Sequence, residues 1–204
     1  MTAPFLKGLA FGFVLAAAVG PMWMLCFRRT IAAGALTGLL SGLGIAVADA
    51  IYGAIAAFGL TAVSSFLLAQ KFWLGLVGGA FLVYLGVRAL VANPSAAGDA
   101  APANPGLLRA FASTLGLTLA NPPTILAFAA IFAGLGLGAH PRSYSAAAMV
   151  VLGVFLGSAS WWIVLAFGAS RLRARLGTGL LRAINVVSGL VILGFALWQL
   201  ARLV

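Results

Sequence analysis

Six membrane-spanning helices, all α, arranged as two inverted repeats of three, are the fold class this sequence predicts, and three observations lead to it. The chain is 64% hydrophobic and 7% charged, with a mean hydropathy of +1.17 over 204 residues, more apolar surface than a soluble core uses. The apolar residues gather into six runs, and only helices or closed barrels satisfy their backbone in lipid, a helical span taking about 20 residues. The two halves of the chain also carry similar patterns of apolar residues and breakers.

The first run extends from Phe5 to Phe27 and ends at Arg28-Arg29. Lys7 followed by an Ala-rich stretch has the look of a signal peptide, but the run continues through Gly20-Pro21 to the arginine pair, which favours a span. The second run is Gly34 to Thr61, the third Phe72 to Val91, the fourth Leu107 to Gly138, the fifth Tyr144 to Ser170 and the sixth Leu180 to Leu203. Between Ala92 and Gly106 lies a linker, rich in Pro, Ala and Asn, whose breakers argue against regular structure. The expected organisation is one membrane domain, with repeat one over 1–91, linker 92–106 and repeat two over 107–204, and no soluble domain.

The net charge of +10 does not point to nucleic acid, because the basic residues sit at span ends and form no polar surface. They fit topology signals and contacts with anionic lipid headgroups. Arg28, Arg29, Arg88, Arg109, Arg171, Arg173, Arg175 and Arg182 fall on one side, and Lys7, Lys71, Arg142 and Arg202 on the other. The positive-inside rule places the larger group in the cytoplasm and both termini outside. The single cysteine, Cys26, excludes an intramolecular disulfide and any Cys-pair redox motif.

The segment from Phe5 to Pro21, FLKGLAFGFVLAAAVGP, resembles LLRAFASTLGLTLANP from Leu107 to Pro122 with one gap. DAIYGAIAAFG (Asp49 to Gly59) aligns without a gap on SASWWIVLAFG (Ser158 to Gly168), and LGVRAL (Leu85 to Leu90) aligns loosely on LGFALW (Leu193 to Trp198). Chance similarity among Gly- and Ala-rich spans is the alternative. A genuine repeat of three spans, an odd number, must place its copies upside down relative to each other, as in many secondary transporters.

Of the two acids in the chain, Asp99 lies in the polar linker and only Asp49 falls in an apolar run. A charged Asp at the centre of a membrane helix costs roughly 2.5–3.5 kcal/mol on insertion scales, so its expected place is the bundle interior. There it is placed to hold a substrate ammonium, to take a coupling proton, or both in turn. A protonated, hydrogen-bonded structural carboxyl is the plainer alternative. Tyr52, one turn on, is positioned to hydrogen-bond Asp49 or to line a cavity; Ser158 takes the position of Asp49 in the second repeat, without its charge.

Gly20-Pro21 and Asn121-Pro122-Pro123 hold matching places in the first and fourth runs. Proline lacks an N–H and disfavours helix in the residue before it, so Pro21 frees the carbonyl of Ala17, and Pro122 and Pro123 free those of Thr118 and Leu119. Asn121 carries donors and acceptors for the opened backbone. The half-helix after each break presents free N–H groups and a positive dipole end to an anionic substrate group; a packing kink is the alternative for either proline alone.

Small residues four apart (Gly34, Gly38 and Gly42; Gly75 and Gly79; Gly134 and Gly138; Gly153 and Gly157) permit close helix approach and make a homodimer plausible. Trp23, Trp73, Trp161, Trp162 and Trp198 read as interface anchors, with Trp161 and Trp162 as alternative cavity walls. His140 sits in a Pro/Arg loop, and one His, one Cys and one intramembrane acid make a poor metal site. No catalytic residues and no cofactor are expected.

The stretch GPMWMLCFRRTIAAGALTGLLSGLGIAVADAIYG, with LTLANPPTILAFAAIFAGLG later in the chain, resembles the signature of LysE/RhtB-type translocators. There a Gly-Pro in the first span precedes basic residues, a Gly-rich second span and its Asp, and an Asn-Pro motif marks the fourth. The resemblance implies a six-span exporter in a bacterial inner membrane that expels amino acids or related metabolites on the membrane potential or proton gradient. It carries over to Gly20, Pro21, Asp49, Asn121 and Pro122. Val19 stands where many members have Pro, and Pro123 where many carry a polar or basic residue, so no particular substrate transfers. A divalent metal-cation exporter and a passive pore or non-transporting membrane partner are the competing readings.

Overall fold

The computed structural model describes residues 2–58, 66, 69–91, 106–121, 124, 127–128, 143–173 and 177–203. These residues form helices α1 (Thr2–Ala17), α2 (Pro21–Ala33), α3 (Ala35–Ala57), α4 (Lys71–Val91), α5 (Leu107–Leu119), α6 (Tyr144–Arg173) and α7 (Thr178–Ala201). No strand occurs among the described residues. Of these helices, α3, α4, α6 and α7 are long and apolar enough to cross a membrane, and the bent pair α1/α2 makes a fifth candidate. The linker residues 92–105, His140 and the last part of the fourth run, 129–138, including Gly134 and Gly138, lie outside the described residues.

The first run is a helix, a break and a second helix, its two arms bent by 74°. Gly20 is extended (φ −157°, ψ −172°) and Pro21 opens α2 at its first turn, where a missing N–H is harmless and the fixed φ suits a helix. The sequence places Arg28-Arg29 at the end of a span after Phe27. Instead α2 runs through both arginines to Ala33, because nothing before Gly34 breaks it. Gly34 adopts φ 91°, a conformation that favours glycine, and its N–H donates to the Thr30 carbonyl at 2.9 Å. α3 begins at the next residue.

α1 lies along α6, α3 packs against both α6 and α5, and α4 pairs with α7. Glycines make these approaches close. A Cβ on Gly8 or Gly12 would overlap the backbone of Val150 or Val154, and one on Gly153 or Gly157 would overlap that of Phe5 or Leu9. The Gly8/Gly12 pair is a small-residue repeat that the sequence reading passes over, although its four-residue spacing is plain. Elsewhere Gly38 meets Thr30, Gly42 meets Trp162 and Gly79 meets Leu200. The glycine faces that make a homodimer plausible are thus occupied within the chain at these positions.

Gly157→Val is therefore expected to destabilise the protein by about 1–3 kcal/mol, the usual range for forced overpacking. Gly168→Ala, at a position with open space around the added carbon, should leave stability the same or slightly higher. Thermal unfolding of the two purified variants in one detergent checks the contrast.

Candidate functional site

Asp49 sits deep in α3, 2% exposed, on the face that packs against α6. The Ser158 hydroxyl of α6 donates to Asp49 Oδ2 at 2.7 Å, and the Trp162 indole N–H donates to the same Ser158 oxygen at 3.2 Å. An indole nitrogen only donates and a serine hydroxyl has one hydrogen. Trp162 therefore orients Ser158, whose proton must point at Asp49. Oδ2 is held as an acceptor, and a proton or a substrate donor is directed to Oδ1. Among the described residues Asp49 forms no ion pair.

Ser158 is thus more than the uncharged counterpart of Asp49. The two residues matched by sequence position touch each other. Trp162 is buried and internal, which removes it from the interface anchors, whereas Trp73 and Trp198 are exposed as anchors should be, the latter with Arg202 4.5 Å above its ring.

Tyr52 does not bond Asp49. Its hydroxyl donates to the Leu119 carbonyl at 2.6 Å, the acceptor left free because Pro123, four residues on, has no N–H. Tyr52 thereby ties α3 to the end of α5, where the second break begins: α5 stops at Leu119, and Ala120 caps it. Asn121 donates through Nδ2 to Thr124 Oγ1 at 2.9 Å. Its Oδ1 is buried without a partner, as is Thr118 Oγ1 one turn back. Pro122 and Pro123 themselves lie outside the described residues.

Around the first break, Ala16 and Met22 pack in one cluster with Ile45, Ala46, Ala159 and Trp162, so the helix ends on either side of the break pack with residues within one turn of Asp49 and Ser158. No side chain caps the N-terminus of α2. The indole nitrogens of Trp23 and Trp161, both packed against this cluster, are buried donors without acceptors among the described residues. Sequence reasoning did not single them out as donors, since an indole in an apolar run looks like packing. No group of three or more His, Cys, Asp or Glu able to hold a metal ion occurs among the described residues.

The profile of the family described as "LysE type translocator" matches residues 13–202. This chain belongs to that family. It is 30% identical over 200 residues to the "Putative amino acid efflux protein YcgF" of Bacillus subtilis (strain 168), covering 95% of this chain and 93% of that protein. It is also 32% identical over 209 residues to the "Putative amino-acid transporter YggA" of Aeromonas salmonicida, covering 98% and 97%. A third relative, the "Uncharacterized membrane protein YahN" of Escherichia coli (strain K12), is 30% identical over 174 residues, covering 83% and 77%. No solved structure matches. The protein is accordingly a multi-pass membrane translocator and not an enzyme.

Tyr52→Phe should cost about 1–3 kcal/mol, because it leaves the part-buried Leu119 carbonyl without its donor. Tyr144→Phe, at a residue that is 75% exposed, should cost almost nothing. Ser158→Ala strands both Asp49 Oδ2 and the Trp162 N–H and belongs with the larger loss. Thermal unfolding of the three variants reads these differences.

Proposed function

We propose that this translocator exports an amino acid or a closely related small metabolite across the bacterial inner membrane, driven by the proton gradient or membrane potential. One observation carries the reading: the sole acid in the apolar spans is buried with one oxygen satisfied by a neutral hydroxyl, close to a helix break. A substrate ammonium can take the free side of Asp49. A substrate carboxylate finds donors at the first break, in the uncapped N-terminus of α2 and the free indole N–H groups of Trp23 and Trp161. Asn121 Oδ1 is an acceptor at the second break, and Gly20, Pro21, Tyr52, Pro122 and Pro123 shape the two breaks. Protonation of Asp49 from outside would weaken its hold on the ammonium, release substrate and reset the carrier, coupling inward proton flow to export.

The six-span inverted repeat is part of this proposal. The pairing of α1 with α6 and of α3 with α5 has the reciprocity of a two-fold relation. So does the position of Gly153 against Leu9 and of Gly44 against Phe111, since both pairs correspond under the sequence alignment. Gly86 meeting Leu193 while Gly189 meets Leu90 suggests that α4 and α7 match with Gly86 on Gly189, a different register from LGVRAL on LGFALW.

Efflux from cells loaded with a labelled amino-acid mixture, with and without an uncoupler, tests the function. Selective efflux is expected from the wild type, lost on uncoupling and lost in Asp49→Asn protein that still inserts and unfolds cooperatively. Full gradient-driven export by Asp49→Asn would sink the coupling mechanism. Efflux that only follows the substrate gradient would indicate a pore, and metal resistance without amino-acid flux would indicate a cation exporter.

A further inference from the structure

Away from Asp49, a cavity of about 200 Å³ opens between α2, α4 and α5, and four arginines line it: Arg28, Arg29, Arg88 and Arg109. All four belong to the group that the charge distribution assigns to the cytoplasmic side. As topology signals they need only be on that side. Here they converge on one space.

Arg29 is built into place, donating through Nη1 to Ser41 Oγ (3.1 Å) and the Ala110 carbonyl (3.0 Å) and through Nη2 to Ser113 Oγ (2.8 Å). Arg28 is steered by its Nε–H, which donates to Asn185 Oδ1 at 3.1 Å; its terminal nitrogens have no partner among the described residues. Arg88 makes one long contact with the Tyr84 hydroxyl, 3.4 Å, and Arg109 makes no hydrogen bond among the described residues. The chain supplies almost nothing to neutralise this group. Its two acidic side chains are Asp49 and Asp99. Asp49 is committed to Ser158 and does not line the cavity, and a single Asp99 leaves most of four guanidinium charges unbalanced.

Four like charges around one cavity repel unless an anion joins them, and guanidinium forks match the oxygens of phosphate. Besides the hydroxyl residues Tyr84 and Ser113, the rest of the wall is apolar, with Leu25, Leu85 and Phe81, the last exposed on the outer face of α4. Basic pockets between helices on the cytoplasmic side have the chemistry of sites for anionic headgroups. We infer that this cavity binds a phosphate-bearing anion, drawn either from an anionic phospholipid headgroup or from a soluble phosphate ester. The site is separate from Asp49, and the inference does not rest on the coupling mechanism proposed above.

Native mass spectrometry of the intact, purified protein tests it, with phosphatidylglycerol, phosphatidylethanolamine and glycerol 3-phosphate as probes. The double variant Arg88→Gln/Arg109→Gln removes two charges on exposed side chains, of which Arg88, among the described residues, touches only Tyr84 of its own helix. The control Arg171→Gln/Arg202→Gln removes two exposed charges that do not line the cavity. Wild type and control should retain phosphatidylglycerol over phosphatidylethanolamine, and the cavity variant should bind it about tenfold less, as losing charge-assisted hydrogen bonds implies. Retention that glycerol 3-phosphate does not displace identifies the lipid as the source; displacement together with tight binding of glycerol 3-phosphate identifies the soluble ester. Equal binding of both anionic probes by wild type and cavity variant, or an equal loss in the control, would overturn the site.

Discussion

One carboxyl group buried between two helices is the constraint to which the rest of this structure answers. In an apolar span Asp49 carries an insertion cost of roughly 2.5–3.5 kcal/mol if charged, and the protein offsets it with a directed donor. Ser158 is that donor, and the Trp162 N–H, given to the same hydroxyl oxygen, keeps its proton turned toward Asp49. Trp162 in turn fits because Gly42 leaves room for its ring: a Cβ there would overlap it. A glycine, an indole, a hydroxyl and a carboxylate thus form one dependent series across the α3–α6 contact.

The helix breaks are held by the same economy of groups. A proline in a span leaves a carbonyl without its helical donor, which lipid cannot satisfy. At the second break Tyr52 reaches from α3 to supply the donor to Leu119, so the helix bearing the acid also closes the defect nearby. Some polar atoms are left over. Trp23 and Trp161 keep unused donors, while Asn121 and Thr118 keep unused oxygens. Buried groups of this kind are costly unless something fills them.

Asp49 and the two breaks were legible because charge and proline are conspicuous against apolar runs, and four of the six runs, the second, third, fifth and sixth, contain helices close to the expected bounds. Partners were harder to see. Tyr52 stands one turn from Asp49, and helical spacing suggested a bond between them; the nearer unsatisfied carbonyl on another helix took the hydroxyl instead, a long-range choice that no local pattern encodes. Ser158 was matched to Asp49 by the repeat, yet their contact depends on how the halves pack. Charge normally marks a span end, which is what the arginine pair suggests in the sequence, whereas helix α2 ends where Gly34 permits a positive φ. The convergence of Arg28 and Arg29 with Arg88 and Arg109 joins residues far apart in the chain, so no motif announces it.

In the proposed cycle Asp49 exchanges a proton for the substrate ammonium while Ser158 holds its other oxygen. Difference infrared spectroscopy of the protein in lipid tests this directly, and the spectrum is sparse because only Asp49 and Asp99 contribute acidic side chains. Adding the exported amino acid should diminish a protonated-carboxyl band that is missing in Asp49→Asn and shifted in Ser158→Ala. A band assigned to Asp49 that saturating substrate and a change of pH both leave untouched would make Asp49 a structural acid with no part in coupling.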